Sequence, residues 1–406
     1  MNTISPAGAA LVRPAPVPTP SAAKPRIHAL DLARAVAVFG MVFSHLGPEL
    51  PYSGVSGILM DARTGLPSAL FAVLTGVSLS IIGTPAALEG GPALAYSRNR
   101  LVSRGILVTV LGFLLTQLQQ SIAVVLVSLG IAMVLLSWTP RARTGTLVWL
   151  ALILLLLGPV LQVAIPGFFA TSALLGGAYP LFAWLTYVTV GVLVHRWLVT
   201  IRPPSFLLGV LAAAGAVVVW AGLSTRSLLG SETVSSEGLY DTSLANPDAP
   251  VQLPASAFVF LSPISHTGGL VEQLTNITAA VAVIALCLLL CRSAMLTTVF
   301  YPLRATGSMA LSTYVLHVLT GSAVLGGLGY GLHGTGTWEE YLDQLPESTT
   351  LAFWLTLLIA VVGATLWRLR FRRGPCEELL NRCVVRSTRQ DLPGRADRRA
   401  GGADGS

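Results

Sequence analysis

Apolar residues come in runs of about twenty along this chain, the length that crosses a bilayer as a helix. The runs fall near 28–47, 66–86, 101–118, 121–138, 145–165, 178–198, 205–224, 270–291, 307–328 and 350–369. They predict an all-α polytopic membrane protein with about ten transmembrane helices. The third and fourth runs are separated by little more than QLQQ (117–120), which predicts a tight hairpin. Residues 1–26 are rich in Pro and Ala, and the chain after about 386 is polar and Gly-rich; both are expected to be disordered. The transmembrane domain is then 27–373, with a long loop at 225–269 and a cytoplasmic C-terminal segment, 374–406. The first run is full length and lacks a clear cleavage site, so no cleaved signal peptide is expected.

The polar positions inside these runs matter more than the apolar ones. The first run, HALDLARAVAVFGMVFSHLGP (28–48), carries Asp31, Arg34 and His45. A charge at the centre of a membrane helix costs roughly 2.5–3.5 kcal/mol on insertion scales. At 100° per residue the three groups fall on one stripe. Asp31 and His45 lie about 21 Å apart along the helix. Val38, Met41 and Val42 lie between them on the stripe, which should face other helices rather than lipid.

Charge fixes a sidedness. One set of segments holds Arg13, Lys24 and Arg26; Arg98, Arg100 and Arg104; Arg141 and Arg143; Arg196 and Arg202; Arg292 and Arg304; and Arg368, Arg370, Arg372 and Arg373. The alternate loops hold only Arg63 and Arg226, with most of the acids, among them Glu49, Asp61, Glu232, Glu237, Asp241 and Asp248. The positive-inside rule puts both termini in the cytoplasm, and an even helix number agrees. The net charge of +7 therefore reflects topology and is no sign of nucleic-acid binding. With 53% hydrophobic and 11% charged residues, the chain is far from the composition of a soluble domain. The partners implied are the lipid bilayer and a small molecule or glycolipid; oligomeric state is open.

Four cysteines, Cys287, Cys291, Cys376 and Cys383, all fall on the basic side and are expected as thiols. Their spacing lacks His partners and does not suggest zinc, and no metal is expected.

Candidate chemistry sorts by depth. On the acidic side lie His45, His266 in PISHTGG (263–269), Glu272, and Asn276 one turn further on. A histidine oriented by a carboxylate is a general-base pair; the ordinary alternative is interfacial residues in contact with water. His317 lies deep in the ninth run with Thr313 and Thr320 on its face, either hydrogen-bonded to a threonine or lining a substrate path with Thr313 and Asn276. On the basic side, Asp31 and Arg34 either pair structurally or bind a phosphate or carbonyl. Arg98, Arg100 and Arg104 either hold donor phosphates or are ordinary topology charges. The glycines of GGLGYG (326–331) lack a preceding strand and are read as helix packing or a helix end.

Arg26, Leu30, Asp31, Arg34, Ala35 and Ala37 give R-x3-L-D-x2-R-A-x-A. This resembles the R-x3-L-D-x2-R-G-x-A opening of the YeiB-like DUF418 membrane proteins, relatives of the heparan-α-glucosaminide N-acetyltransferases. SALFAVLTGVSLS (68–80), YPLFAWLTYVTVGVLV (179–194), GSMALSTYVLH (307–317) and GPCEELLNR (374–382) are similar to further motifs of that family, in order, most closely its actinobacterial-type branch. The resemblance implies a transmembrane acyltransferase that takes acetyl-CoA from the cytoplasm and acylates an amine or hydroxyl of a sugar across the membrane. It also implies a catalytic Asn closing the first helix and a His in the loop after it. Here His45 stands near the Asn position, and residues 46–65 hold no histidine.

Under that reading Asp31, Arg34, Arg98 and Arg104 bind acetyl-CoA or another acyl-CoA. The middle of the stripe lines its path. His45 is the base, oriented by Glu272 or His266, with direct transfer and an acyl-His both open. A permease or lipid flippase, or a structural membrane partner, are the alternatives.

Overall fold

The computed structural model describes residues 26–51, 53–118, 122–230, 250–325 and 338–388. Nearly all of the expected tails, residues 231–249 of the 225–269 loop and the GGLGYG glycines lie outside the described residues. The helices are α1 (His28–Leu46), α2 (Gly54–Arg63), α3 (Leu66–Glu89), α4 (Gly91–Leu118), α5 (Leu126–Leu135), α6 (Thr144–Ala164), α7 (Pro166–Thr171) and α8 (Leu181–Val194). They continue as α9 (Ser205–Leu228), α10 (Ala255–Leu261), α11 (Leu270–Leu290), α12 (Ala294–Val299), α13 (Tyr301–Gly307), α14 (Ala310–Leu325), α15 (Trp338–Arg370) and α16 (Pro375–Ser387). Two-residue strands at Leu229–Gly230 and Val251–Gln252 pair in parallel.

The chain is an all-α polytopic membrane protein. Among the described residues eight helices are long and apolar enough to cross a membrane. The ninth apolar run, 307–328, falls on α14, which with the preceding α13 forms a pair bent by 79°. The run at 121–138 yields only α5, ten residues and about 15 Å. Just before it, the Val125 N–H donates to the Tyr314 hydroxyl of α14 at 3.2 Å. Non-helical backbone at membrane depth is tolerated where protein rather than lipid surrounds it.

Small residues set the close crossings. On α3 and α8, Gly76 and Gly191 face each other: a Cβ on either would lie 2.0 Å from a backbone oxygen of the other helix. At Gly307 a Cβ would lie 1.7 Å from the Asp31 carbonyl oxygen, so α13 lies backbone-to-backbone against the first turns of α1. These approaches enclose α1. Val38, Met41 and Val42 are buried at 0–4% exposure. Among the described residues they pack as core and line none of the cavities described below, so the middle of this stripe is packed core where a path was expected. Membrane helices associate by such packing because lipid is as apolar as leucine.

Gly307→Ala should destabilise the protein by about 1–3 kcal/mol, as overpacking does. Gly363→Ala, where a Cβ meets nothing, should leave the melting temperature in detergent unchanged or slightly raised. Equal melting of the two variants would contradict the close α1–α13 contact.

Candidate functional site

Asp31, in the first turn of α1, is 6% exposed. Arg34 Nη1 donates to its carboxylate at 2.9 Å, and Arg34 Nη2 donates to Ser78 Oγ of α3 at 2.9 Å. The i,i+3 pair is therefore tied to a neighbouring helix and kept from lipid.

Beside this pair opens a cavity of about 500 Å³. Five arginines line it, Arg26, Arg34, Arg100, Arg104 and Arg373, against two carboxylates, Asp31 and Glu377. Neither carboxylate is free. Asp31 holds Arg34, while Glu377 of α16 accepts from the Leu311 N–H (2.8 Å), the Ser312 N–H (3.2 Å) and the Ser312 hydroxyl. Glu377 thereby caps the N-terminus of α14 at the bend, where unpaired N–H groups favour an anion. Arg100 Nε is buried with no hydrogen-bond partner among the described residues. Inward, the lining turns apolar: Leu74, Leu79, Val108, Leu126, Leu129, Met133 and Phe71. A cationic mouth with an apolar interior suits a polyanion carrying an extended, weakly polar arm. From Ile82 to Phe71 the cavity follows α3 for about 16 Å.

Arg98 is not in this cavity. It lines a second one with Ser137, Trp138 and Arg141. Helix periodicity is the reason: Arg100 and Arg104 are about 40° apart around α4, whereas Arg98 is turned about 120° from Arg104. Of the three candidate arginines, Arg100 and Arg104 thus share the cavity and Arg98 does not, and the 100°-per-residue count was the signal for it.

At its inner end Phe71 stacks on Tyr314, with centroids 6.3 Å apart. The Tyr314 ring in turn meets His317 edge-on at 5.3 Å. His317 is fully buried, and its Nε2 lies 3.0 Å from Nδ1 of His45. The two imidazoles are nearly parallel, at 13°. Nδ1 of His317 lies 3.1 Å from the Tyr314 carbonyl, which can only accept, so Nδ1 carries that ring's proton. With one proton on each ring, His317 Nε2 accepts from His45 Nδ1–H, and Nε2 of His45 keeps a free lone pair. His45 also lines a depression of about 850 Å³ with Glu49, Arg63, Leu351 and Trp354; Arg63 donates to Glu49 at 2.7 Å. The expected threonine bond to His317 is not made. The hydroxyls of Thr313 and Thr320 donate to the Met309 and Leu316 carbonyls one turn back in α14, the nearest acceptors for a threonine in a membrane helix.

His266, Glu272 and Asn276 do meet, but around one another. Glu272 accepts from the His266 N–H (2.6 Å) and the Gly268 N–H (2.7 Å), with Thr267 Oγ1 and Asn276 Nδ2 each at 3.4 Å. Asn276 Nδ2 also donates to the Tyr187 hydroxyl at 3.0 Å. The carboxylate organises the 266–268 turn, in which His266 (φ 70°) and Gly268 (φ 75°) are left-handed. Among the described residues the His45 ring meets His317 and the Met41 backbone, and no hydrogen bond links it to Glu272 or His266. Arg226 pins the same loop, donating to the Ser265 hydroxyl and to the Pro263 and Asp61 carbonyls.

The family profile described as "Heparan-alpha-glucosaminide N-acetyltransferase, catalytic" matches residues 26–229, just over half of the chain. The chain belongs to this family. Residues 249–387 match a second profile, "Protein of unknown function (DUF418)". A comparison with curated proteins gave no match. The protein is thus a multi-pass membrane protein of a DUF418-containing, transmembrane acetyltransferase-like family. The site draws on both matched regions: His45, Arg34, Arg100 and Arg104 come from the first, and His317, Tyr314 and Glu377 from the second.

The loop beside the site makes a pH-dependent contribution. Burial holds the His266 imidazole down at about 4, against 6.5 when free, with Arg226 pushing the same way and a contact to the Ala178 backbone opposing. Between these values the unfolded chain binds a proton that the folded one refuses. The contribution is therefore full above pH 6.5 and falls as pH drops toward 4. The melting temperature in detergent should decline through that window, with a shallower slope in His266→Gln. An unchanged slope in the variant would contradict this assignment.

Proposed function

We propose that the protein transfers an acyl group from cytoplasmic acyl-CoA to a hydroxyl or amine of a sugar or glycolipid at the opposite face of the cell membrane. The observation that carries this reading is how near the arginine cavity comes to the histidine pair. An arginine-lined cavity enters from the basic side and ends at Phe71, two ring contacts from the His45–His317 pair. The distribution of arginines supports placing that mouth, and both termini, in the cytoplasm.

Arg100, Arg104 and Arg26 are the groups that would hold the phosphates, since Arg34 is committed to Asp31 and Ser78 and Arg373 to Glu378. Bound acyl-CoA supplies the thioester carbonyl to be attacked. The apolar lining from Ile82 to Phe71 guides its arm and excludes water. Transfer requires the Phe71 ring to move aside, because it closes the inner end. His45 Nε2 takes the proton of the acceptor as the acceptor's oxygen or nitrogen bonds to the acyl carbon. The carbon–sulfur bond breaks, and the imidazolium returns the proton to sulfur. His45 does here what the resemblance assigns to an Asn and a loop His. His317 fixes its tautomer through the Tyr314 carbonyl, as a carboxylate does for other catalytic histidines. Glu272 and His266 shape the neighbouring loop.

In detergent the protein should bind acetyl-CoA and cleave its thioester slowly in the presence of an envelope-lipid extract. His45→Ala should lower cleavage by about 10²–10⁴-fold, the usual range for a general base, with CoA binding unchanged. Arg100→Ala/Arg104→Ala should weaken CoA binding at least tenfold. Folded protein that neither binds CoA nor cleaves the thioester, with a longer acyl donor also tried, would overturn acyl transfer in favour of a permease or flippase.

A further inference from the structure

The second cavity, about 250 Å³, lies at the basic ends of α3 and α4 and against the turn before α6. Arg98 from α4 and Arg141 from the turn both line it, and no acidic residue does. Neither arginine makes an ion pair or a side-chain hydrogen bond among the described residues. Ser97 and Ser137 supply hydroxyls, Leu101 forms apolar wall, and Trp138, 43% exposed, stands at the rim.

The protein's own hydrogen bonds hold the wall of the pocket. Arg196 donates to the Thr139, Pro140 and Ala142 carbonyls and to the Thr144 hydroxyl, which fixes the turn that presents Arg141. Gly83 of α3 lies so close to this turn that a Cβ would approach Pro140 to 2.4 Å. The depth is interfacial: Arg98 lies one turn before the apolar stretch of α4 that begins at Leu101, and Arg141 directly precedes α6. A tryptophan with two guanidiniums at that level is the combination that meets the headgroup region of a basic-side leaflet.

We propose that this cavity binds the phosphate of an anionic phospholipid. Arg98 and Arg141 hold the phosphate oxygens, Ser97 and Ser137 hydrogen-bond the headgroup, and the acyl chains run along the outer surface of α4. The site is separate from the arginine cavity above and stands whether or not acyl transfer does.

Native mass spectrometry of the detergent-purified protein, titrated with phosphatidylglycerol and with phosphatidylcholine, tests it. One phosphatidylglycerol should be retained in preference to phosphatidylcholine. Arg98→Ala/Arg141→Ala should weaken retention about thirtyfold, following two lost cation contacts, with the melting temperature unchanged. Arg143→Ala, a neighbouring exposed arginine outside the cavity, should retain the lipid. Equal retention of phosphatidylcholine, equal retention by the double variant, or equal loss in the Arg143 variant would overturn the proposal, the last by showing diffuse charge attraction. Displacement by equimolar glycerol 3-phosphate would overturn the lipid as ligand and assign the site to soluble phosphates.

Discussion

Everything in this protein is arranged around the need to partner the ionisable groups of α1 without lipid or bulk water. Charges and imidazoles in a bilayer are costly unless protein supplies their partners. Asp31 and Arg34 are met by each other and by Ser78, and His45 by His317, 272 residues away in sequence. To deliver those partners, α3, α11, α13 and α14 must close on α1, and Gly307 is the point at which one of them does so backbone-to-backbone. The charged and histidine ends are thereby held at opposite ends of one buried helix.

The same constraint explains the irregular elements. Gly307 meets Asp31 before the 79° bend between α13 and α14, and His317 meets His45 after it; at the bend Glu377 supplies the acceptor that the freed N–H groups of α14 need. At the start of the short α5 the Val125 N–H donates to the Tyr314 hydroxyl, whose ring is packed between Phe71 and His317. Both departures from regular helix lie beside the cavity or the histidine pair.

Much of the fold was legible in hydropathy, because each apolar run maps to a helix or to one bent pair. The α1 stripe was legible from angular spacing, as was the Glu272–Asn276 pairing. What escaped was tertiary. Nothing in the spacing of His45 and His317 announces their contact, although Tyr314, three residues before His317 on the same face, was a sign that this histidine sits among rings and not in lipid. The middle of the α1 stripe looked like a channel wall and proved to be core, because small residues let neighbouring helices approach too closely to leave space. Arg98 and Arg104 looked equivalent as charges; only their angular separation around α4 sends them to different cavities. Glu272 looked like an orienting carboxylate for a histidine ring, and it binds a histidine's backbone N–H instead.

The central claim is that the arginine cavity and the His45–His317 pair serve one reaction across one membrane. Sidedness tests it most directly. Protein reconstituted in sealed vesicles, with labelled acetyl-CoA supplied at one face and an envelope-lipid and sugar extract enclosed at the other, should transfer label only when acetyl-CoA meets the face bearing Arg100 and Arg104. Label transferred equally from either face, or only to acceptors on the acetyl-CoA side, would contradict the account.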